Sequence, residues 1–291
     1  MALSNLRPEV EGFHDKDTGT VTYIVSDPAS GTTAIIDPVM DYDPKSARTS
    51  TKSADAVIAR VQERGLKVDW LLETHVHADH LSGLAYVKRR VGGRSAIGSR
   101  INEVQQAFKD IFGFERAFQP DGSQFDHLFA DGETFQVGGI QGRVLHTPGH
   151  TPACVSYVIG DAVFVGDTLF MPDGGTARAD FPGGDAATLY RSIHRILDLP
   201  ASTRMFICHD YGPGGRAPAW ETTVGEQHRA NIHIHDGIDQ DAFVATRNAR
   251  DKTLSMPVLI IPSVQVNIRA GELPEPEDNG IRYLRIPLNV L

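Results

Sequence analysis

Three histidines and an aspartate fall within six positions of the stretch ETHVHADHLSG, Glu73 to Gly83: His75, His77, Asp79 and His80. Imidazole nitrogens and carboxylate oxygens at this density are donors for a metal ion if rigid elements make them converge. Further donors occupy comparable places: His150 in HTPGHTP, Asp167 in FVGDTLF and His209 in FICHDY. They fall at turn positions after apolar runs that read as strands, which aims all seven side chains at one sheet edge. Any one of these histidines alone is explained as an ordinary core or surface residue. Seven such donors buried together need partners, and a cation is the partner they can share.

The elements that must carry these donors are legible around them. Thr20 to Val25 and Thr33 to Asp37 are β-branched runs separated by DPASG, a hairpin signal. Pro38 to Ser53 is polar and reads as a loop. Ala54 to Gly65 has apolar residues at helical spacing and closes on a glycine C-cap. Trp70 to Glu73 is a short strand leading into the histidine motif, and Leu84 to Arg90 and Asn102 to Phe112 follow as helices. Ala130 to Val144 carries hairpin signals, and Cys154–Ile159 and Ala162–Val165 flank a two-residue turn at Gly160-Asp161. Ala186 to Leu197 is an amphipathic helix, Arg204 to Cys208 a buried strand, and Thr222 to Arg229 a polar helix. This order lacks the regular alternation of a doubly wound sheet and predicts two mixed sheets with helices outside. From about Asn231 the character changes to a short helix, a strand at Val258–Ile261 and Pro- and Glu-rich turns. The expected organisation is a catalytic domain over 1–230 and an extension over 231–291 packed on it.

The bulk properties bound the function classes. With 291 residues, 41% hydrophobic and 22% charged, the chain has the composition of a globular protein with a real core. A net charge of −9 argues against a general nucleic-acid or anionic-membrane binder. No apolar run approaches bilayer length and the N-terminus has no signal-like segment. Two cysteines, Cys154 and Cys208, make no disulfide framework, so the expected compartment is the cytoplasm.

THVHADH, HTPGHTP, GDTLF and CHDY, in that order, resemble the motifs of the metallo-β-lactamase superfamily over most of residues 10–230. The resemblance implies an α/β (α+β) fold, an αββα sandwich of two mixed β-sheets flanked by helices, with its metal site at one edge. The superfamily is chemically broad, so its fold does not give the reaction. Arg178 to Pro200, RADFPGGDAATLYRSIHRILDLP, and HDY at His209–Tyr211 resemble the persulfide dioxygenase branch more closely. The LFMPDGGTA insertion and the extension after Asn231 resemble the bacterial second type of that enzyme, also described as a β-lactamase-like hydrolase of sulfide detoxification.

That resemblance implies one Fe(II) per chain on His75, His150 and Asp167, a two-histidine, one-carboxylate face with open positions. His77, Asp79, His80 and His209 would then hold ligands and waters by hydrogen bonds. It implies O2 and glutathione persulfide, or another low-molecular-weight persulfide, as reactants, with Tyr211 and Arg178 positioning or charge-balancing the substrate. It also implies a homo-oligomer, a dimer. The alternative is a dinuclear zinc hydrolase of the glyoxalase II type. There His75, His77 and His150 would hold one Zn2+, Asp79, His80 and His209 the other, and Asp167 would bridge. A catalytically silent metal-binding or persulfide-sensing protein is a third reading, against which the complete donor set stands. An ion pair of Arg178 with Asp180 competes with substrate contact. Cys154 is expected as a small buried strand residue rather than a redox-active thiol, Cys208 as inert, and His233 and His235 as solvent-facing.

Overall fold

The structure is a computed structural model and describes residues 7–290. In chain order the first strands are β1 (Glu9–His14), β2 (Val21–Ser26), β3 (Thr32–Ile36), β4 (Val39–Asp43), β5 (Arg48–Ser50), β6 (Lys67–Leu72), β7 (Leu81–Ser82), β8 (Arg94–Gly98) and β9 (His127–Phe129). The later strands are β10 (Thr134–Val137), β11 (Ile140–His146), β12 (Val155–Ile159), β13 (Ala162–Phe164), β14 (Arg204–Phe206) and β15 (Glu221–Thr223). The helices are α1 (Lys52–Glu63), α2 (Leu84–Val91), α3 (Ile101–Phe112), α4 (Ala186–Leu197), α5 (Val224–Ala230), α6 (Gln240–Asp251) and α7 (Ile260–Asn267).

One sheet has the order β1-β2-β3-β6-β8-β9 and the other β10-β11-β12-β13-β14-β15. Both are mixed: β3, β6, β8 and β9 run parallel, as do β13 and β14, and the remaining pairs in these two sheets are antiparallel. The period-two alternation of side chains sets the layers. Val21, Tyr23 and Val25 of β2 point between the sheets and meet Phe135, Tyr157, Phe164 and Phe206. Ile24, Ile35 and Leu71 point outward and are covered by Val57, Leu84, Phe108 and Val264 from α1, α2, α3 and α7. On the far side Val158, Val163 and Met205 are covered by Leu189 and Ile193 of α4 and Phe243 of α6. The result is the αββα sandwich that the motif order implied.

The helix ends follow the local sequence. Gly65 takes φ +60° after α1, and Leu66 N–H returns to Val61 O at 2.9 Å. Asp185 caps α4 by accepting from Thr188 N at 2.7 Å.

Two expectations are corrected. Pro38–Ser53 is not a loop: β4 and β5 form a hairpin there, and β4 also pairs with β7, Val39 with Ser82 and Met40 with Leu81. The backbone groups of a polar segment found partners across a distant strand. Val258–Ile261 is not a strand but leads into α7. A short apolar run has no period of its own; Val258 is exposed, and the packing of Ile260 and the rest of α7 against α3 and β7 decides for helix. Pro262 is tolerated because it sits in the first turn, where the backbone N–H has no helical partner to lose.

Candidate metal centre

The donors sit where strands end. Glu73–His80 leaves the carboxyl end of β6, His150 lies between β11 and β12, Asp167 follows β13 and His209 follows β14. His75 has its Nδ1 3.0 Å from Thr74 Oγ1, and His150 has its Nδ1 2.8 Å from the Arg178 carbonyl. Both rings therefore turn Nε2 toward Asp167 Oδ2, at 4.0 Å for His75 and 3.7 Å for His150. The other Asp167 oxygen lies 3.3 Å from His209 Nε2. Asp79 Oδ2 accepts from Thr20 Oγ1 at 3.1 Å and lies 3.2 Å from His80 Nδ1 and 3.5 Å from His209 Nε2. Four groups among the described residues, three of them sharing His77, have their donor atoms within 4.8 Å of one another, and two of the four, His75–His150–Asp167 and His77–Asp79–His80, consist of motif histidines and aspartates alone.

The donor chemistry fits a metal. His75 Nε2, His77 Nδ1, His80 Nε2, His209 Nε2 and Asp167 Oδ1 are buried and have no hydrogen-bond partner in the protein. Orphaned buried polar atoms are costly, and here they converge on a common space that a cation would satisfy. Burial holds the His75 imidazole well below its usual range, and burial also lowers His80 and His150, which keeps their nitrogens free to ligate. Burial opposes ionisation of Asp79, but His209 and His80 override it and hold the carboxyl well below its usual range.

A second row of residues, absent from the motif reading, fixes this arrangement. Asp37, 2% exposed, accepts from Thr74 N at 2.7 Å and from Thr74 Oγ1 at 2.8 Å. It also lies 3.1 Å from His77 Nε2. Glu73 accepts from Ser82 Oγ and lies 3.5 Å from the same nitrogen. Burial raises the Glu73 carboxyl to about 7. Burial works against charge on His77, yet the Asp37 and Glu73 carboxylates hold it well above its usual range. Thr20 Oγ1 touches Asp79, His80 and His209, the last two at 3.2 and 3.4 Å on their Nδ1 atoms. Asp37 obeys the strand-end rule that exposed Asp167, standing at the end of TAIID. Thr20 gives no sequence signal.

Gly149 sets the His150 turn. Its φ is +133°, and a Cβ there would lie 2.4 Å from both N and Cα of Leu189 in α4. Gly149→Ala is expected to cost about 2 kcal/mol or more, because strain and a clash with helix backbone add. A fall in thermal midpoint with partial metal loss by elemental analysis checks it.

A cleft of about 1350 Å3 opens over the donors, lined by Asp79, His80, His150, Asp167 and His209 and walled by the β4–β5 hairpin and residues 254–259. Tyr211 stands at its mouth, 69% exposed, with its ring parallel to that of His209 at 6.0 Å. Arg178 also lines it, but its guanidinium is engaged: Asp180 accepts at 2.5 and 2.7 Å, Ser255 O at 2.8 Å, and the cation lies over Phe181. The ion pair left open by the sequence is present, and the Arg178 carbonyl is what touches the donor set.

His233 is not solvent-facing. It is half-buried, its Nδ1 accepts from Thr176 N at 3.0 Å, and burial lowers it to about 4. His235 is exposed as expected. Cys154 and Cys208 are buried free thiols. Burial raises Cys154 to about 12 and Cys208 well above its usual range. Neither carries thiolate at neutral pH, so a thiol-reactive dye is expected to label both cysteines only after denaturation.

The geometry has counterparts in known proteins. The model of the metallo-beta-lactamase superfamily matches residues 15–209. A probable metallo-hydrolase of Burkholderia pseudomallei is 58% identical over 97% of this chain and 99% of its own. A beta-lactamase hydrolase-like protein of Xylella fastidiosa is 55% identical over 98% of this chain and 65% of its own, so this chain spans about two thirds of that relative. The mitochondrial persulfide dioxygenase ETHE1 of Mus musculus is 31% identical over 87% of this chain and 84% of its own. Among solved structures, ETHE1 from Myxococcus xanthus superposes with a TM-score of 0.72 at 27% identity, covering 91% of this chain and all of that one. None of the helices among the described residues is long and apolar enough to cross a membrane. The αββα layers, the strand-end donors and the family match over the region that carries them agree: this chain belongs to the metallo-β-lactamase superfamily.

Proposed function

We propose that the chain is a persulfide dioxygenase that oxidises the terminal sulfur of glutathione persulfide with O2. The balanced reaction converts RSSH, O2 and H2O into RSH, sulfite and two protons. The observation that carries it is the arrangement of His75, His150 and Asp167. Two imidazoles have their Nδ1 atoms occupied by a threonine hydroxyl and a carbonyl, and both turn Nε2 toward one carboxylate oxygen. Two histidines and one carboxylate with an open side are the ligand type of ferrous oxygen chemistry. The 31% identity to a persulfide dioxygenase over most of both chains supports the same reading.

Fe(II) held there by His75, His150 and Asp167 would supply the activation of O2 and a soft acceptor for sulfur. The chain's own residues do the rest. The Arg178 carbonyl fixes which His150 nitrogen is free. Phe170 and Phe181 line the cleft and shield it from water, and Tyr211 offers a phenol at the mouth to position the thiol carrier. Arg178, anchored by Asp180, sets the charge of that wall without releasing its fork. Thr20 occupies the Nδ1 atoms of His80 and His209 and one oxygen of Asp79, leaving these groups to hold water beside the substrate.

The hydrolase names of the more similar relatives keep the dinuclear zinc thioesterase as the competing outcome. Metal analysis of anaerobically purified protein, paired with an oxygen electrode, separates the two. About one iron per chain with persulfide-dependent O2 uptake is the expected result. About two zinc ions with thioester hydrolysis and no O2 uptake would sink the proposal.

A further inference from the structure

The extension beyond residue 231 reaches the histidine-rich loop of the metal centre through Asn267. Asn267, the last residue of α7, is 4% exposed. Its Nδ2 donates to the carbonyls of His77 and His80, both at 2.8 Å, and its Oδ1 accepts from Ser82 N at 2.7 Å. Both donors of the amide and its oxygen are thus engaged by one loop. The two carbonyls bracket Ala78 and Asp79, so the clamp fixes the backbone from which His77, Asp79 and His80 project. A second tie from the same extension holds the other side. Arg247, paired with Asp251 in α6, donates to Thr176 O at 2.9 Å, and Asp251 accepts from Ala179 N at 2.9 Å. Between those anchors lies Arg178, whose carbonyl orients His150. The family match ends at residue 209, so the side chains that make both ties come from outside the matched region.

We infer that Asn267 is a positioning residue of the metal centre, clamping the His77–His80 backbone so that the donors keep their geometry before any metal arrives. The inference rests on the donors being a metal site, not on which reaction follows. Asn267→Asp keeps the side-chain size and the acceptor for Ser82 N, but faces two carbonyl oxygens with a carboxylate. Gln265→Ala is the control. Gln265 is 1% exposed on the same helix, and its side chain hydrogen-bonds Ile261 O, Arg285 O and Arg285 N rather than the donor loop.

Metal-free full-length protein is titrated with Co(II) against a chromophoric chelator, and the visible Co(II) bands are recorded. Asn267→Asp is expected to weaken Co(II) binding about 10–100-fold and to change the bands, as loss of a group that orients ligands does. Gln265→Ala is expected to lower the thermal midpoint while leaving Co(II) affinity within about twofold of wild type, since it does not orient ligands. Should N267D fail to fold, N267A removes the clamp without adding charge and is read by the same criteria. Affinity and bands of the Asn267 variant matching wild type would overturn the inference, as would an equal loss in Q265A. Failure of the wild type to bind Co(II) would remove the metal site and the positioning role with it.

Discussion

His75→Ala is expected to remove iron and abolish persulfide-dependent O2 uptake, whereas His80→Ala is expected to leave iron in place. His75 supplies Nε2 to the cluster with His150 and Asp167, and in the iron reading it is one of only three protein ligands. Apparent binding energies of about 10–16 kcal/mol for zinc on four ligands correspond to roughly 2.5–4 kcal/mol per ligand. Loss of one ligand then weakens the metal roughly 10²–10³-fold, and because Fe(II) starts from a lower affinity than zinc, a loss of that order empties the site. His80 is in a different position. Its Nδ1 is held by Thr20 and Asp79, its Nε2 has no hydrogen-bond partner in the protein, and the residue belongs to the cluster with His77 and Asp79 rather than to that of His75. Iron content of the isolated protein near wild type, with metal affinity or turnover lower by about 10–100-fold, is the outcome for a residue that only supports ligands. Elemental analysis of both variants beside the oxygen electrode checks the pair. Iron lost on His80→Ala would break the ligand assignment, and a fall from two zinc ions to one would establish the hydrolase.

These donors were legible because they obey one rule: a polar residue at the end of an apolar strand points at the sheet edge. His75, His150, Asp167 and His209 all follow it, and the structure brings them within a few ångströms although they lie on four segments. Asp37 follows the same rule but stands in no histidine-rich stretch, so the residue that braces His77 was passed over. Thr20 and Asn267 were beyond reach for a different reason. Their role is a contact across 60 and 187 residues of chain, which no local pattern encodes. The helix α7 shows the same limit from the side of the fold. IIPSVQVN is β-branched and apolar, with Pro262 where only a first helical turn tolerates it, and tertiary burial rather than propensity decides its form. Periodic elements such as α4, and hairpin turns such as Gly160-Asp161, needed no such help.

The second large effect is at Asp37. Asp37→Ala is expected to destabilise the protein by about 3–5 kcal/mol, since it strands the His77 ring and Thr74 N–H in the interior without their acceptor. The backbone adds to this. Asp37 has φ +50°, a conformation that Asp and Asn tolerate and Ala disfavours. Asp37→Asn therefore separates the backbone from the charge. It keeps the strained conformation and one acceptor for Thr74, but the carboxylate charge that faces His77 Nε2 at 3.1 Å is gone. An amide NH2 in its place would favour the ring form with its proton on Nδ1, the nitrogen that faces Asp79. In a dinuclear enzyme that blocks a ligand. With iron on His75, His150 and Asp167 alone, iron content is expected to hold while stability falls. The pH dependence of the stability difference has a definite sign. Burial raises the Asp37 carboxyl, but His77 and Thr74 more than offset it, and the folded value lies below the ordinary 3.8. Its contribution is complete above that ordinary value and drains away as pH falls through the folded one. Thermal melts of wild type and Asp37→Asn should therefore differ most near neutrality and converge in acid, and a gap that widens as pH drops would refute the assignment of Asp37 as the charged brace of His77.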